Sequence, residues 1–64
     1  RDELTDREFA VLLKLEEGST NHEISVSLGC SIYTARDHVN VIIRKFGVAN
    51  RTAAVVHAIR NEIL

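Results

Sequence analysis

The chain has 64 residues, a formal net charge of -1, a single cysteine and no methionine, proline or tryptophan. A chain this short folds as one domain burying about 60% of the surface its unfolded form exposes, which leaves no room for a deep cofactor cavity. One cysteine excludes a disulfide framework, and no apolar run approaches the ~20 residues of a membrane span.

No signal segment opens the chain, so a cytoplasmic location is expected. The start at Arg1 and the lack of methionine make it an expected piece of a longer protein. The near-neutral total also hides a division. Residues 1–29 carry three basic and seven acidic side chains, a net of -4, whereas residues 30–64 carry five basic and two acidic, a net of +3. Such asymmetry gives the chain one anion-facing end.

Leu4-Thr5-Asp6-Arg7-Glu8-Phe9 opens a first helix over residues 5–17. Thr5 caps it, Glu8 three residues later reaches back, and Leu4 packs on Phe9. Phe9, Leu12, Leu13 and Glu16 line one side, Val11 and Leu15 widen the apolar surface, and Gly18 ends the helix. Thr20 and Glu23 repeat the capping box before a short second helix, residues 20–28, with Ile24 and Leu28 inward. Gly29 closes it. Only Cys30 separates that glycine from the next cap, Ser31, and two helices joined by so tight a turn make a helix-turn-helix.

The third helix, residues 31–46, has two faces. Ala35, Val39, Ile42 and Phe46 recur at helical spacing and form a core stripe. Tyr33, Arg36, Asp37, Asn40 and Arg44 fall on the opposite side, and all can hydrogen-bond to phosphates or base edges. An ordinary solvated face has the same polarity, so the stripe alone does not decide. Gly47 closes the helix, Val48 is an apolar plug, and Asn50 caps a fourth helix over residues 50–61. Ala53, Ala54, Val56, Ala58 and Ile59 fit either a helix packed inside the monomer or one that also touches a second subunit. The fold class is therefore all-α, a four-helix domain built on a helix-turn-helix.

The remaining chemistry is plain. His22, His38 and His57 stand on three different helices without the i, i+4 spacing of a helical metal site, so no metal is expected. Cys30 beside the turn is a small core residue rather than a reactive thiol. Thr5, Thr20 and Ser31 are caps without a base in predictable reach, and no catalytic constellation or cofactor follows.

Taken together, Leu4-Thr5-x-Arg7-Glu8 with Val11-Leu12, Gly18, Asn21, Glu23-Ile24, Leu28-Gly29-x-Ser31, Thr34, His38-Val39, Ile42, Lys45-Phe46-Gly47-Val48 and Asn50-Arg51-Thr52 resemble a known family. The chain is similar to the helix-turn-helix output domain of bacterial LuxR/FixJ/NarL-type regulators over nearly its whole length. The resemblance implies transcription regulation with double-stranded DNA as partner, the third helix in the major groove and a homodimer through the fourth. RNA polymerase is a further partner it allows. It sets Arg36, Asp37 and Asn40 against base edges. Tyr33, Thr34, His38, Arg44, Lys45, Arg51, Thr20 and Asn21 fall beside the DNA backbone, and Ala54, Val55, Ala58 and Ile59 at the dimer contact.

Three departures bear on this. Tyr33 and His22 stand where the family often has lysine, and Asp37 brings a carboxylate that can accept from a cytosine amine but is repelled by phosphates. A footprint of three or four cations gives a log-log salt slope of about -3 per subunit. Two alternatives remain: the promoter-reading end domain of a sigma factor, and a protein-interaction module with weak DNA affinity. Asn50-Arg51-Thr52 favours the LuxR-type pattern over the sigma factor, whereas the net charge, Tyr33, His22 and Asp37 favour the interaction module.

Overall fold

The computed structural model describes residues 3–64. Within them four helices follow one another: α1 (Asp6–Glu16), α2 (Asn21–Leu28), α3 (Ile32–Phe46) and α4 (Arg51–Arg60). Each begins immediately after its polar cap. The side chains of Thr5, Thr20, Ser31 and Asn50 accept from the N–H groups of Glu8, Glu23, Thr34 and Ala53 at 2.8 to 3.1 Å. Both capping boxes are complete, because the Thr5 and Thr20 N–H groups donate to Glu8 and Glu23 Oε1 at 3.0 and 2.7 Å. Glu17 and Asn61, expected as last helical residues, are C-caps just outside α1 and α4.

The helices also stop by one device: a left-handed residue after the last turn turns the next N–H back onto a carbonyl five residues earlier. Gly29, at φ 68°, lets the Cys30 N–H reach the Ser25 carbonyl at 3.0 Å and so makes the turn between α2 and α3. At the end of α4 the same place is held by Glu62 at φ 57°, and the Ile63 N–H reaches the Ala58 carbonyl at 2.8 Å.

The third helix is the centre of the fold: α3 packs against each of the other three, and α1 also packs against α4. Its buried stripe of Ala35, Val39 and Ile42 shares one core with Leu4, with Val11, Leu12 and Leu15 of α1, with Ile24 of α2, and with Ala54 and Ala58 of α4. Half-buried Phe46 joins α3 to α4, its ring centroid 4.5 Å from that of His57. Cys30 and Leu28 are partly buried against the same core.

Two expected faces turn out differently. The inward side of α1 is Glu8, Val11, Leu12 and Leu15, while Leu13 is 39% exposed, Glu16 is exposed and Phe9 only partly buried. Apolar residues at 9, 11, 12, 13 and 15 cover too much of the circumference for periodicity to choose a centre, so contact with α3 and α4 chooses it. On α4, Ala54 and Ala58 are 0% exposed. One turn apart, these small side chains let the helix lie close on the core, so they have no surface for a second subunit, and their expected place in a dimer contact is corrected. The apolar side chains that α4 turns outward are Val56 and Ile59, 41% and 53% exposed, flanked by half-buried Val55.

Among the described residues no helix is long and apolar enough to cross a membrane.

Candidate nucleic-acid interface

The exposed side of α3 is built by its buried side. Because Ala35, Val39 and Ile42 must face the core, a 3.6-residue period turns Tyr33, Arg36, Asp37, Asn40 and Arg44 outward on one stripe. All five are exposed. At 1.5 Å per residue the stripe runs about 16 Å along the helix, more than the ~12 Å width of a DNA major groove. Asp37, Asn40 and Arg44 make no side-chain hydrogen bond among the described residues, so their donors and acceptors are available to a partner. Arg36 has one neighbour of note: its guanidinium carbon lies 5.5 Å from the centroid of the Tyr33 ring.

Thr34, at the start of this helix, faces out beside its cap. The Ser31 hydroxyl donates to Thr34 Oγ1 at 3.1 Å and accepts from the Thr34 N–H at 3.1 Å. That leaves the Thr34 hydroxyl proton free to donate outward.

The flank of α3 toward α1 is different. Lys45 Nζ donates to Glu8 Oε1 and to the Glu3 carbonyl, both at 2.7 Å. The Glu8 side chain is 11% exposed and that of Lys45 33%. Lys45 beside it, then the Thr5 N–H, hold the Glu8 carboxyl below its usual range of 4.5, against the opposing effect of burial, with half-buried His38 adding a smaller pull. The sequence placed Lys45 beside the DNA backbone. In the structure its charge is cancelled within the chain, and it straps the end of α3 to the start of α1.

A second cluster forms at the N-terminus of α2. Arg51, first residue of α4, donates from Nη1 to Asn21 Oδ1 at 2.7 Å and from Nη2 to the Ser19 carbonyl at 2.8 Å. Both acceptors are neutral, so the guanidinium keeps its net charge while being held in place. Asn21 spends its carbonyl oxygen here and retains its amide donors, next to the Thr20 cap. Three residues that the sequence singled out separately, Thr20, Asn21 and Arg51, are thus brought together at the positive end of a helix dipole. Glu23, exposed beside them, is held below its ordinary pKa by the Thr20 backbone N–H and hydroxyl.

The comparisons with known proteins fit this geometry. The family described as "Bacterial regulatory proteins, luxR family" matches residues 2–58. The chain belongs to the luxR family of bacterial regulatory proteins. Over 63 residues it is 40% identical to the transcriptional regulatory protein LiaR of Bacillus subtilis, covering 98% of this chain and 30% of LiaR. With the response regulator protein VraR of Staphylococcus aureus it shares 36% identity over 61 residues, 95% of this chain and 29% of VraR. Two solved structures have the same fold. The response regulator ChrA of a heme-sensing two-component system superimposes with a TM-score of 0.91 at 36% identity, over 100% of this chain and 32% of ChrA. The transcription factor GerE gives 0.88 at 32% identity, over 97% of this chain and 92% of GerE. The chain therefore spans less than a third of LiaR and VraR and nearly all of GerE.

For this luxR-family chain, sequence reasoning missed the tie from Glu8 to Lys45, that from Arg7 Nη2 to the Leu28 carbonyl at 3.2 Å, and the contact of Arg36 with Tyr33. The first two span 37 and 21 residues and leave no local signal. The third has the i, i+3 spacing at which helical side chains meet, and was legible.

Proposed function

We propose that this luxR-family chain binds double-stranded DNA in a sequence-specific way, as the output domain of a longer transcription regulator. The observation that carries the proposal is the outer stripe of α3, with five exposed hydrogen-bonding side chains on one face of a helix whose back is locked into the core. In this proposal α3 enters the major groove. Arg36, Asp37 and Asn40 meet base edges, where arginine can pair with guanine, asparagine with adenine and a carboxylate with a cytosine amine. Arg44, the Thr34 hydroxyl and the cluster of Thr20, Asn21 and Arg51 meet phosphates, which fixes register without reading sequence. Lys45 supports the site from behind.

Pairing of two copies uses the outward side of α4, Val55, Val56 and Ile59. Two-fold pairing puts half-sites about 10 to 10.5 base pairs apart. Selection of duplexes from a random library tests the proposal: a symmetric winning site with that spacing supports it, and binding to the winner no tighter than to scrambled duplex refutes it.

A further inference from the structure

Tyr33 is the only tyrosine in the chain and its largest exposed aromatic side chain; the two phenylalanines are partly buried. At 67% exposure it contributes nothing to the core. What it does touch is Arg36, whose guanidinium carbon lies 5.5 Å from the ring centroid, within the range of a cation–π contact. Nothing else on α3 competes for that guanidinium. Its helical neighbours at three and four residues are Ile32, Tyr33, Val39 and Asn40, none of them acidic, and Asp37, one residue on, points to a different azimuth.

The two ways of engaging a guanidinium use different directions. An aromatic ring takes its flat face, whereas hydrogen bonds to a base leave from its edge, in the plane. A carboxylate neighbour would consume the edge donors, but a ring leaves all five free. A ring contact through the flat face therefore restricts the rotamers of a long, flexible side chain at no cost to the donors that would pair with guanine.

We infer that Tyr33 is the positioning residue for Arg36: its ring holds the guanidinium for base pairing, so it governs sequence discrimination rather than general affinity. This rests on the base-reading role proposed above for Arg36. It also gives the departure from lysine at position 33 a consequence. The chain exchanges one phosphate-seeking cation for a better-ordered base-reading one.

The test uses the selected duplex, every single base-pair change in it, and scrambled duplex, with Tyr33→Phe, Tyr33→Leu, Arg36→Ala and Tyr33→Leu/Arg36→Ala. Helical signal and melting temperature check that these exposed-site variants fold. Arg36→Ala should flatten the preference at one base-pair step, worth about 5- to 150-fold for an arginine–guanine pair. Tyr33→Leu should lower the preference at that same step by about two- to fivefold, the scale of an exposed cation–π contact. Tyr33→Phe, which keeps the ring, should retain it, and Tyr33→Leu in the Arg36→Ala background should change nothing further.

Equal loss on every sequence in Tyr33→Leu, or loss in Tyr33→Phe, would make Tyr33 a direct DNA contact and overturn the inference. An unchanged preference in Tyr33→Leu would overturn it as well, while leaving the function standing. A wild-type chain that prefers no duplex, or an Arg36→Ala variant that flattens no step, removes the base-reading role and the inference with it.

Discussion

Replacing Lys45 with methionine keeps most of the side-chain volume and removes the charge that straps α3 to α1. The Glu8 carboxylate, on a side chain only 11% exposed, would then keep the Thr5 N–H but lose the ammonium 2.7 Å away. Exposed pairs are worth about 0 to 1 kcal/mol, and breaking a fully buried one costs about 3 to 5. Because Lys45 is 33% exposed and water screens it, an intermediate value of about 2 kcal/mol applies. For a domain of this size that is a drop of about 8 to 16 °C in melting temperature. Glu8→Gln should cost less, about 1 kcal/mol, since the amide oxygen can still accept from Thr5 and the ammonium still has the Glu3 carbonyl and water. The double variant should cost less than the two together. The pH dependence has a definite sign. The folded-state pKa of Glu8 is lowered, so its contribution is complete above about 4.5 and is lost as pH falls through the folded value. Thermal unfolding of the four proteins between pH 7 and pH 3 measures all of this, and Lys45→Met should flatten the acid-side slope. A Lys45→Met protein that melts within about 2 °C of wild type and binds every duplex more weakly would refute the strap and return Lys45 to the DNA backbone.

Further outcomes concern the helix ends, α4 and the charge. Glu62→Gly should raise stability by about 0.5 to 1 kcal/mol, because glycine adopts the left-handed conformation without penalty; a lower melting temperature would contradict it. Gly29→Ala should cost about 1 to 2 kcal/mol and no more, since an added Cβ meets nothing within 4 Å and the strain is confined to the backbone at φ 68°. Ile59→Asp should leave the monomer's stability within about 0.5 kcal/mol but abolish pairing on a two-half-site duplex, whereas Ala58→Leu should cost about 1 to 3 kcal/mol by overpacking the core. Titrations at several salt concentrations should give a log-log slope of about -2 per subunit rather than -3.

The parts of this fold that were legible in the sequence are those governed by neighbours in the chain. A capping box needs only two residues three apart, so Thr5–Glu8 and Thr20–Glu23 set the starts of α1 and α2, and Gly29 followed by Ser31 sets the turn before α3. The inward stripe of α3 was legible because its apolar residues are sparse enough to define a direction. On α1 they are too dense, and the true centre, between Leu12 and Leu15, is chosen by what α3 and α4 cover. Alanine is ambiguous for another reason: Ala54 and Ala58 suit any close helix contact, and only the finished fold says that the contact is internal. The candidate site divides in the same way. Its exposed stripe on α3 followed from periodicity, whereas the ties from Lys45 to Glu8 and from Arg51 to Asn21 bridge 37 and 30 residues and exist only once the chain has folded.

Those ties explain how a chain of net charge -1 can present an anion-facing surface. Counting charges treats every cation as equal, but the structure spends them differently. Lys45 is cancelled by Glu8. Arg51 is anchored on two neutral oxygens and keeps its field. Arg36 has its guanidinium carbon 5.5 Å from the centroid of a neutral ring and keeps its charge, and Arg44 is free along the same stripe. Of the acidic residues, Asp37 alone shares that stripe; Glu8 is occupied with Lys45, and Glu17 pairs with Lys14 at 3.6 Å. At physiological ionic strength charges beyond about 8 Å are largely screened, so a phosphate at the outer edge of α3 responds to its immediate neighbours rather than to the total. In the proposed arrangement, where Arg36 meets bases, the cations left for phosphates are Arg44 and Arg51. Two such contacts give the slope of about -2, so a measured slope of -3 or steeper would mean that Lys45 leaves Glu8 when DNA binds.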